Sequence, residues 1–511
     1  MNAPVRHDDL RKAVVDSLSA PSEDIARHVL AMAGANPNQI EKAITTGTGL
    51  VAYDLQAPAK NLYPFNAPLI KSLPRTGGVG TATNWKAITG LQGSGFDATG
   101  WVPEGQRAGQ MSYVTQSRSA AYATLGEEDQ ATWEAISAGR TFEDVQATMT
   151  TRLLQKMMLK EEMAVLAGNA SLQLGSPSAP TPAASGTGAT LPSATYSVIV
   201  VALTLEGYRN SSLVNGVATS KTVTGADGKT FTVNGGSSNK SANATQSVTL
   251  GQTLSATVPA VQGAVAYAWY VGVAGSETLQ AITGINSVTL AAPLASGRQA
   301  ATAITADCST NATGFDGLLT TALKAGQGGA YVNTLATGVA GAGTTLTSSG
   351  HGSVEEIDTM LQGLWDAYQV SPTVLWVNSQ QLKDIAAKVL SSGSGPLLQY
   401  FQNPSEGEVR MTAGAAIDFY FNPFLNGGMK IPIKIHPFVP PGTVLAYASD
   451  LPLQYQSNEV PNVAEVKVRR DYYQVDWPVT TRAQMVGVYA EETLVVYAPF
   501  AMAAITNIAA G

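Results

Sequence analysis

The 511-residue sequence holds a single cysteine, Cys308. One thiol excludes any disulfide within the chain and any cysteine-rich metal site. A reducing cytoplasm is the expected place of synthesis. Charge is scarce as well. Asp, Glu, Lys and Arg make up 13% of the residues, against roughly 25% in ordinary soluble domains. The net charge is −7, which removes the electrostatic footprint that tight nucleic-acid binding needs. No stretch approaches the ~18 consecutive apolar residues of a transmembrane helix. The opening residues, MNAPVRHDDLRK, have acids where a signal peptide needs an apolar run. The histidines His7, His28, His351 and His436 lie far apart, and none has metal-ligand spacing. No P-loop, dinucleotide fingerprint, GxSxG or HExxH motif is present. No residue set offers an acid, base or nucleophile at catalytic spacing. No catalytic, cofactor-binding or metal-ligating residue is therefore nominated, and no cofactor is expected.

Glycine, alanine, serine and threonine fill the space that charge leaves, a composition suited to extended β-structure and broad protein contacts. The longest regular pattern is Thr141 to Ala167, TFEDVQATMTTRLLQKMMLKEEMAVLA. It predicts one helix, with Thr141 as N-cap and Asp144 as its capping partner. Phe142, Val145, Met149, Leu153 and Met157 step by three and four along one face. Leu154, Met158, Val165 and Leu166 widen that face, and Gly168-Asn169 ends the helix. This helix reads as a spine on which separate modules hang.

Before it, residues 7–34 carry two short helical patterns, each too short to fold alone. Residues 46–78 are apolar but broken by Pro58, Pro64, Pro68 and Pro74, so they predict an extended arm that buries its side chains on another surface. Thr81–Ile88 and Met111–Leu125 predict two strands, the second ending at Gly126. The loop between them, tipped by Phe96 and Trp101, makes an exposed apolar hairpin, which is an aggregation hazard unless its tip has a partner.

After the spine, residues 174–194 read as a linker. From Thr195 to about Leu294, short strands at close intervals predict a β-sandwich, with Trp269 resembling the core tryptophan of immunoglobulin-like modules. A second loose segment containing Cys308 follows. The parent fold resumes at Phe315. Ser353 and Glu356 predict a capping box for a helix with Val354, Ile357, Leu361, Leu364 and Trp365 inward. Thr373–Val377 predicts a buried strand. Ser379 caps a further helix that turns Leu382, Ile385, Val389 and Leu390 inward. Asn426-Gly427-Gly428 turns a hairpin, and strands around Ala464–Arg469, Tyr472–Trp477, Gln484–Tyr489 and Thr493–Tyr497 close the chain. The acidic runs Glu127-Glu128-Asp129 and Glu161-Glu162, and the pair Arg469-Arg470, read as solvated faces. Lys86 and Glu104, near the hairpin, do not define a cross-linking site.

An apolar arm, a projecting hairpin and no catalytic set together suggest a subunit of a shell. GLVAYDLQAPAKNLYPFNAPLIKSLPR, NWKAITG, the spine helix and RRDYYQVDWPVTTRAQMVGVYAEETLVVYAPFA resemble the major capsid proteins of tailed phages, which have the Hong Kong 97 or Johnson fold. The resemblance covers residues ~45 to 170 and ~315 to 505. It implies an α+β fold: an N-arm at 1–77, an E-loop hairpin at 78–130, and the spine helix with the start of the peripheral domain at 131–173. An axial domain would take 314–450, and the peripheral sheet and C-terminus 451–511. The sandwich, with its linkers at 174–313, stands outside that plan as an immunoglobulin-like insertion. The implied function is a homo-oligomer of hexamers and pentamers in an icosahedral shell, enclosing double-stranded DNA without sequence-specific binding. Such a virion capsid is assembled in the host cytoplasm and engages no membrane. A long helical scaffolding segment is not seen, so a separate scaffolding protein is implied, with a portal and decoration proteins as further partners. An encapsulin-like cellular compartment and a β-rich surface adhesin are the competing readings.

Overall fold

The computed structural model describes residues 65–92, 100–140, 144–326, 328–391, 400–402, 409–411, 417–425, 428–452, 462–479 and 481–511. The helical patterns at 7–34, the arm before residue 65, Phe96, Thr141, Phe142 and the Asn426-Gly427 turn fall outside them. The architecture is mixed α+β.

The spine helix is Val145–Ala167, 23 residues and so about 35 Å long. Its cap is Asp144, whose carboxylate accepts the N–H groups of Gln146 and Ala147, each at 3.1 Å. An acceptor placed there satisfies two of the free amides of the first turn. Met149, Leu153, Met157, Val165 and Leu166 are buried as the period predicts, whereas Leu154 is exposed. Gly168 stops the helix in extended rather than left-handed geometry. A Cβ there would lie 2.6 Å from the Phe315 carbonyl and 2.8 Å from that of Ala164. Close backbone approach, not positive φ, requires this glycine.

The helix lies across a four-stranded sheet ordered Arg75–Gly77, Ala464–Asp476, Ala483–Val496, Ala123–Thr132. Met149 packs with Ala131 and Val486, and Leu153 and Met157 pack with Val488. The expected strand ending at Gly126 is two strands. Ser112–Ala121 belongs to the hairpin, and Ala123–Thr132 runs through Gly126 into this sheet. The Tyr489 ring covers Gly126 so closely that a Cβ would meet it at 2.4 Å. The glycine admits a ring instead of ending a strand.

A six-stranded sheet is ordered Tyr331–Thr334, Met502–Thr506, Val444–Tyr447, Val374–Val377, Met429–Ile435, Phe419–Asn422. Its central strands are apolar throughout because both faces are covered. Leu375, Val377, Val444 and Ala446 face the core shared with the helix Glu355–Tyr368. Trp376, Leu445 and Tyr447 face the core that Leu166 joins from the spine. The capping box predicted at Ser353 does not form. Val354 precedes the helix without a side-chain cap, Ser353 Oγ bonds Asp358, and Glu356 accepts the Thr347 amide. Ser379 is the first residue of its helix, and Asn378 Oδ1 takes the Gln380 N–H.

Residues 181–290 form two packed sheets and a two-stranded ribbon, Ser220–Thr224 with Thr230–Asn234. One sheet is ordered Ser287–Leu290, Thr253–Thr257, Thr181–Ser185; the other Thr278–Thr283, Ala266–Gly272, Ala194–Leu203, Ala244–Val248. A shared core with Trp269, Val198, Leu254 and Val288 lies between them. Trp269 Nε1 donates to Thr283 Oγ1 at 2.8 Å, the partner a buried indole needs. Neither flanking segment is a free linker. Thr181–Ser185 is an edge strand, a position that tolerates Pro182. Ala301 and Ile304 cover the outer face of the four-stranded sheet. Cys308 exchanges backbone hydrogen bonds with Gly236 and Ser237 instead of lying in loose chain.

Candidate functional site: arm seat and projecting hairpin

The chain enters the described structure at a short apolar segment. Pro68–Ser72 is a one-turn helix with proline at its start, which sets φ for the first turn. Ala67, Leu69, Ile70 and Leu73 are buried. The amides of Leu69 and Ile70 donate to the two carboxylate oxygens of Glu162 at 2.7 and 2.9 Å. His436 closes the same carboxylate at 2.7 Å through Nε2. Its Nδ1 accepts the Phe438 N–H at 3.1 Å. A nitrogen that accepts carries no proton, so the imidazole is the neutral Nε2–H tautomer and donates to Glu162. One buried carboxylate thereby fastens the arm to the spine and to the end of strand Met429–Ile435.

Three residues beyond that helix, Arg75 reaches the neighbouring carboxylate. Its guanidinium pairs with Glu161, with Asp471 at 2.7 Å and with Glu492 at 3.2 Å. Its planar group also lies over the Tyr472 ring, and the Tyr472 hydroxyl donates to Glu161. Glu161 and Glu492 are 1% and 0% exposed. Burial raises both carboxyls, Glu492 to about 8, with the Glu161 charge adding to its shift and Arg75 opposing it. Burial alone would lower Arg75, but Glu161, Glu492 and Asp471 together hold it above its ordinary value.

The sequence reading of Glu161-Glu162 as a solvated face is thus overturned. The signal was present. Glu161 continues the 149, 153, 157 spacing, and Glu162 lies three and four residues before the buried Val165 and Leu166. The other charged runs are also engaged. Glu127 pairs with Lys160, and Glu128 accepts from the Tyr489 hydroxyl. Arg469 pairs with Glu491 at 2.6 Å, donates to the Gly80 carbonyl at 3.0 Å and covers the Tyr122 ring. Arg470 lies 3.6 Å over Tyr473. Glu465 is buried as well and pairs with Lys467 at 2.8 Å.

The hairpin pairs Ala82–Gln92 with Ser112–Ala121 as a two-stranded sheet among the described residues. Tyr122 anchors its base through Thr83 Oγ1 at 2.8 Å, and its hydroxyl fills the place a Cβ of Gly78 would take. Ile88, Met111 and Tyr113 are exposed, and Trp101 is 92% exposed. Lys86 stands in the hairpin opposite Ser117, and Glu104 lies in the exposed loop.

Elsewhere, a cleft of about 420 Å³ separates Tyr267 and Gln262 of the sandwich from Leu323, Lys324 and the edge strand at Val332 and Thr334. Its lysine is already paired with Asp316 at 2.5 Å. Among the described residues, no group of three or more His, Cys, Asp or Glu could hold a metal, and no helix is long and apolar enough to cross a membrane.

Residues 294–509 match the family model of the SU10 major capsid protein. No curated protein matches. Among solved structures the chain is similar to the capsid of Myoviridae Phage XM1, at 10% identity and TM-score 0.42, covering 92% of this chain and 100% of that one. It is similar to the capsid of a native GTA particle at 9% identity and TM-score 0.41, covering 91% and 97%. It is similar to Gordonia phage Cozz at 8% identity and TM-score 0.39, covering 91% and 93%.

Proposed function

We propose that this chain is a major capsid protein of the tailed-phage kind, a structural protein and not an enzyme, and that it closes an icosahedral shell of pentamers and hexamers around double-stranded DNA; the match of residues 294–509 to a major capsid protein family supports the reading. The observation that carries the reading is the hairpin. A two-stranded ribbon is marginal in water on its own, and this one presents Ile88, Trp101, Met111 and Tyr113 to solvent. Such a patch marks a surface awaiting a partner, and in a homo-oligomer the partner is a second subunit. The net charge of −7 suits enclosure of DNA without sequence-specific contact. A scaffolding protein, a portal and decoration proteins are the further partners of this reading, and assembly takes place in the host cytoplasm.

Replacing Trp101 and Met111 by serine tests it. Both side chains are exposed, so the subunit should melt within about 1 °C of wild type, as surface changes usually cost under ~0.5 kcal/mol. Sedimentation should show wild type in capsomers or particles and the double variant as slower species. Equal assembly by both proteins removes the hairpin from the account.

A further inference from the structure

We propose that Arg75, Glu161 and Glu492 form a proton-gated latch, which holds residues 67–78 on the spine helix and releases them as pH rises. The geometry sets up the imbalance. Three carboxyl groups meet one guanidinium, and two of the three are sealed from water. Asp471 is mostly exposed, so solvent bears much of its charge. Among the described residues, Glu492 Oε1 receives no donor from any neighbour other than the Glu161 carboxyl, which can meet it only when one of the two acids is protonated. A buried carboxylate with one bare oxygen is costly, whereas the protonated acid is far less so. Burial and Glu161 accordingly keep the Glu492 proton on up to about pH 8.

Among the described residues, the charged and titratable groups that contact the cluster belong to four elements. The arm supplies Arg75, the spine Glu161, one strand Asp471 and Tyr472, and the next strand Glu492. Other cations of the same sheet and helix are engaged elsewhere, Lys467 with Glu465, Arg469 with Glu491, Lys160 with Glu127 and Arg470 over the Tyr473 ring. Among the described residues, Arg75 is the cation that forms ion pairs with Glu161 and Glu492.

Lifting Arg75 opens the cluster to water, and the Glu492 carboxyl returns to the ordinary glutamate range. The seated state therefore binds a proton that the released state gives up. Between the ordinary glutamate pKa and about 8, release is favoured as pH rises, by up to about tenfold per pH unit for one proton. Above that window the dependence ends, because Glu492 is then ionised in both states. Glu161 is shifted in the same direction, so it reinforces the sign.

Hydrogen exchange on the purified, unassembled full chain reads the latch without reference to shell formation. The Leu69 and Ile70 amides report it, after correction for the intrinsic pH dependence of exchange. Their protection should fall between about pH 5.5 and about pH 8, by up to ~tenfold per unit, while the buried strand Val374–Val377 stays unchanged. Glu492→Gln, a neutral stand-in for the protonated acid, should flatten that dependence and raise protection at the alkaline end. Glu161→Gln is the second variant; it removes the charge that adds to the Glu492 shift, and should flatten the dependence too. A wild-type chain with no such slope, or variants that keep the wild-type slope, would overturn the proposal.

Discussion

Glu162 shows how much one buried side chain can organise. It accepts two backbone amides from the arm and the Nε2 proton of His436, and nothing about a Lys-Glu-Glu-Met sequence announces those partners. Helical spacing places the carboxylate on the buried face, but only the fold brings residues 69 and 436 to it. Truncating it strands three donors. Glu162→Ala should cost about 3–5 kcal/mol, the scale for breaking a buried charged cluster. Glu162→Gln keeps one acceptor oxygen and should fall between the variant and wild type. Thermal melting of the subunit checks the order; a melt of Glu162→Ala within a degree of wild type contradicts the assigned role.

At the scale of the element, periodicity gave the spine its buried face, and that face supports a sharp contrast. Leu153→Asp or Met157→Asp puts an unpaired charge against Val488, at a cost of several kcal/mol, and should abolish soluble folded protein. Lys156→Gln alters an exposed residue, and Lys160→Gln removes a half-exposed pair with Glu127, worth at most ~1 kcal/mol. Comparable soluble yields from both pairs would show the helix to be faced wrongly. The strand expected at Thr373–Val377 was legible as an apolar run and is found at Val374–Val377 with both faces covered, whereas the strand Met502–Thr506 was not foreseen. Caps were less legible. Asp144, Val354 and Asn378 stand where Thr141, Ser353 and Ser379 were expected, since several polar residues compete at each helix start and tertiary contacts choose among them. The segment 174–194 was misread because a Pro/Ala/Ser composition fits an edge strand as well as a linker.

For the molecule as a whole, the sandwich is seated on its neighbours rather than tethered at a distance. Asn286 exchanges hydrogen bonds with Asn507, and Gln262 donates to the Leu323 carbonyl. The flanking segments are paired, so protease should spare 174–194 and 298–313 while the sandwich is folded. The exposed ribbon Ser220–Thr224 with Thr230–Asn234 is the susceptible part, and its Lys221 and Lys229 are exposed. We propose that this module faces outward in the shell, since its surface carries neither the basic groups that would hold DNA nor strong acidity that would repel it. Trypsin should then cut at Lys221 or Lys229 in intact, filled particles. Complete protection that ends only when the shell is opened would place the module inside.

The most direct measurement of the central claim is electron microscopy of the purified full chain, made with and without a scaffolding protein. The account predicts rings and closed particles of uniform size, with the exposed hairpin of each subunit covered by a neighbour. A well-behaved monomer at high concentration in every buffer, with scaffold present, would contradict it.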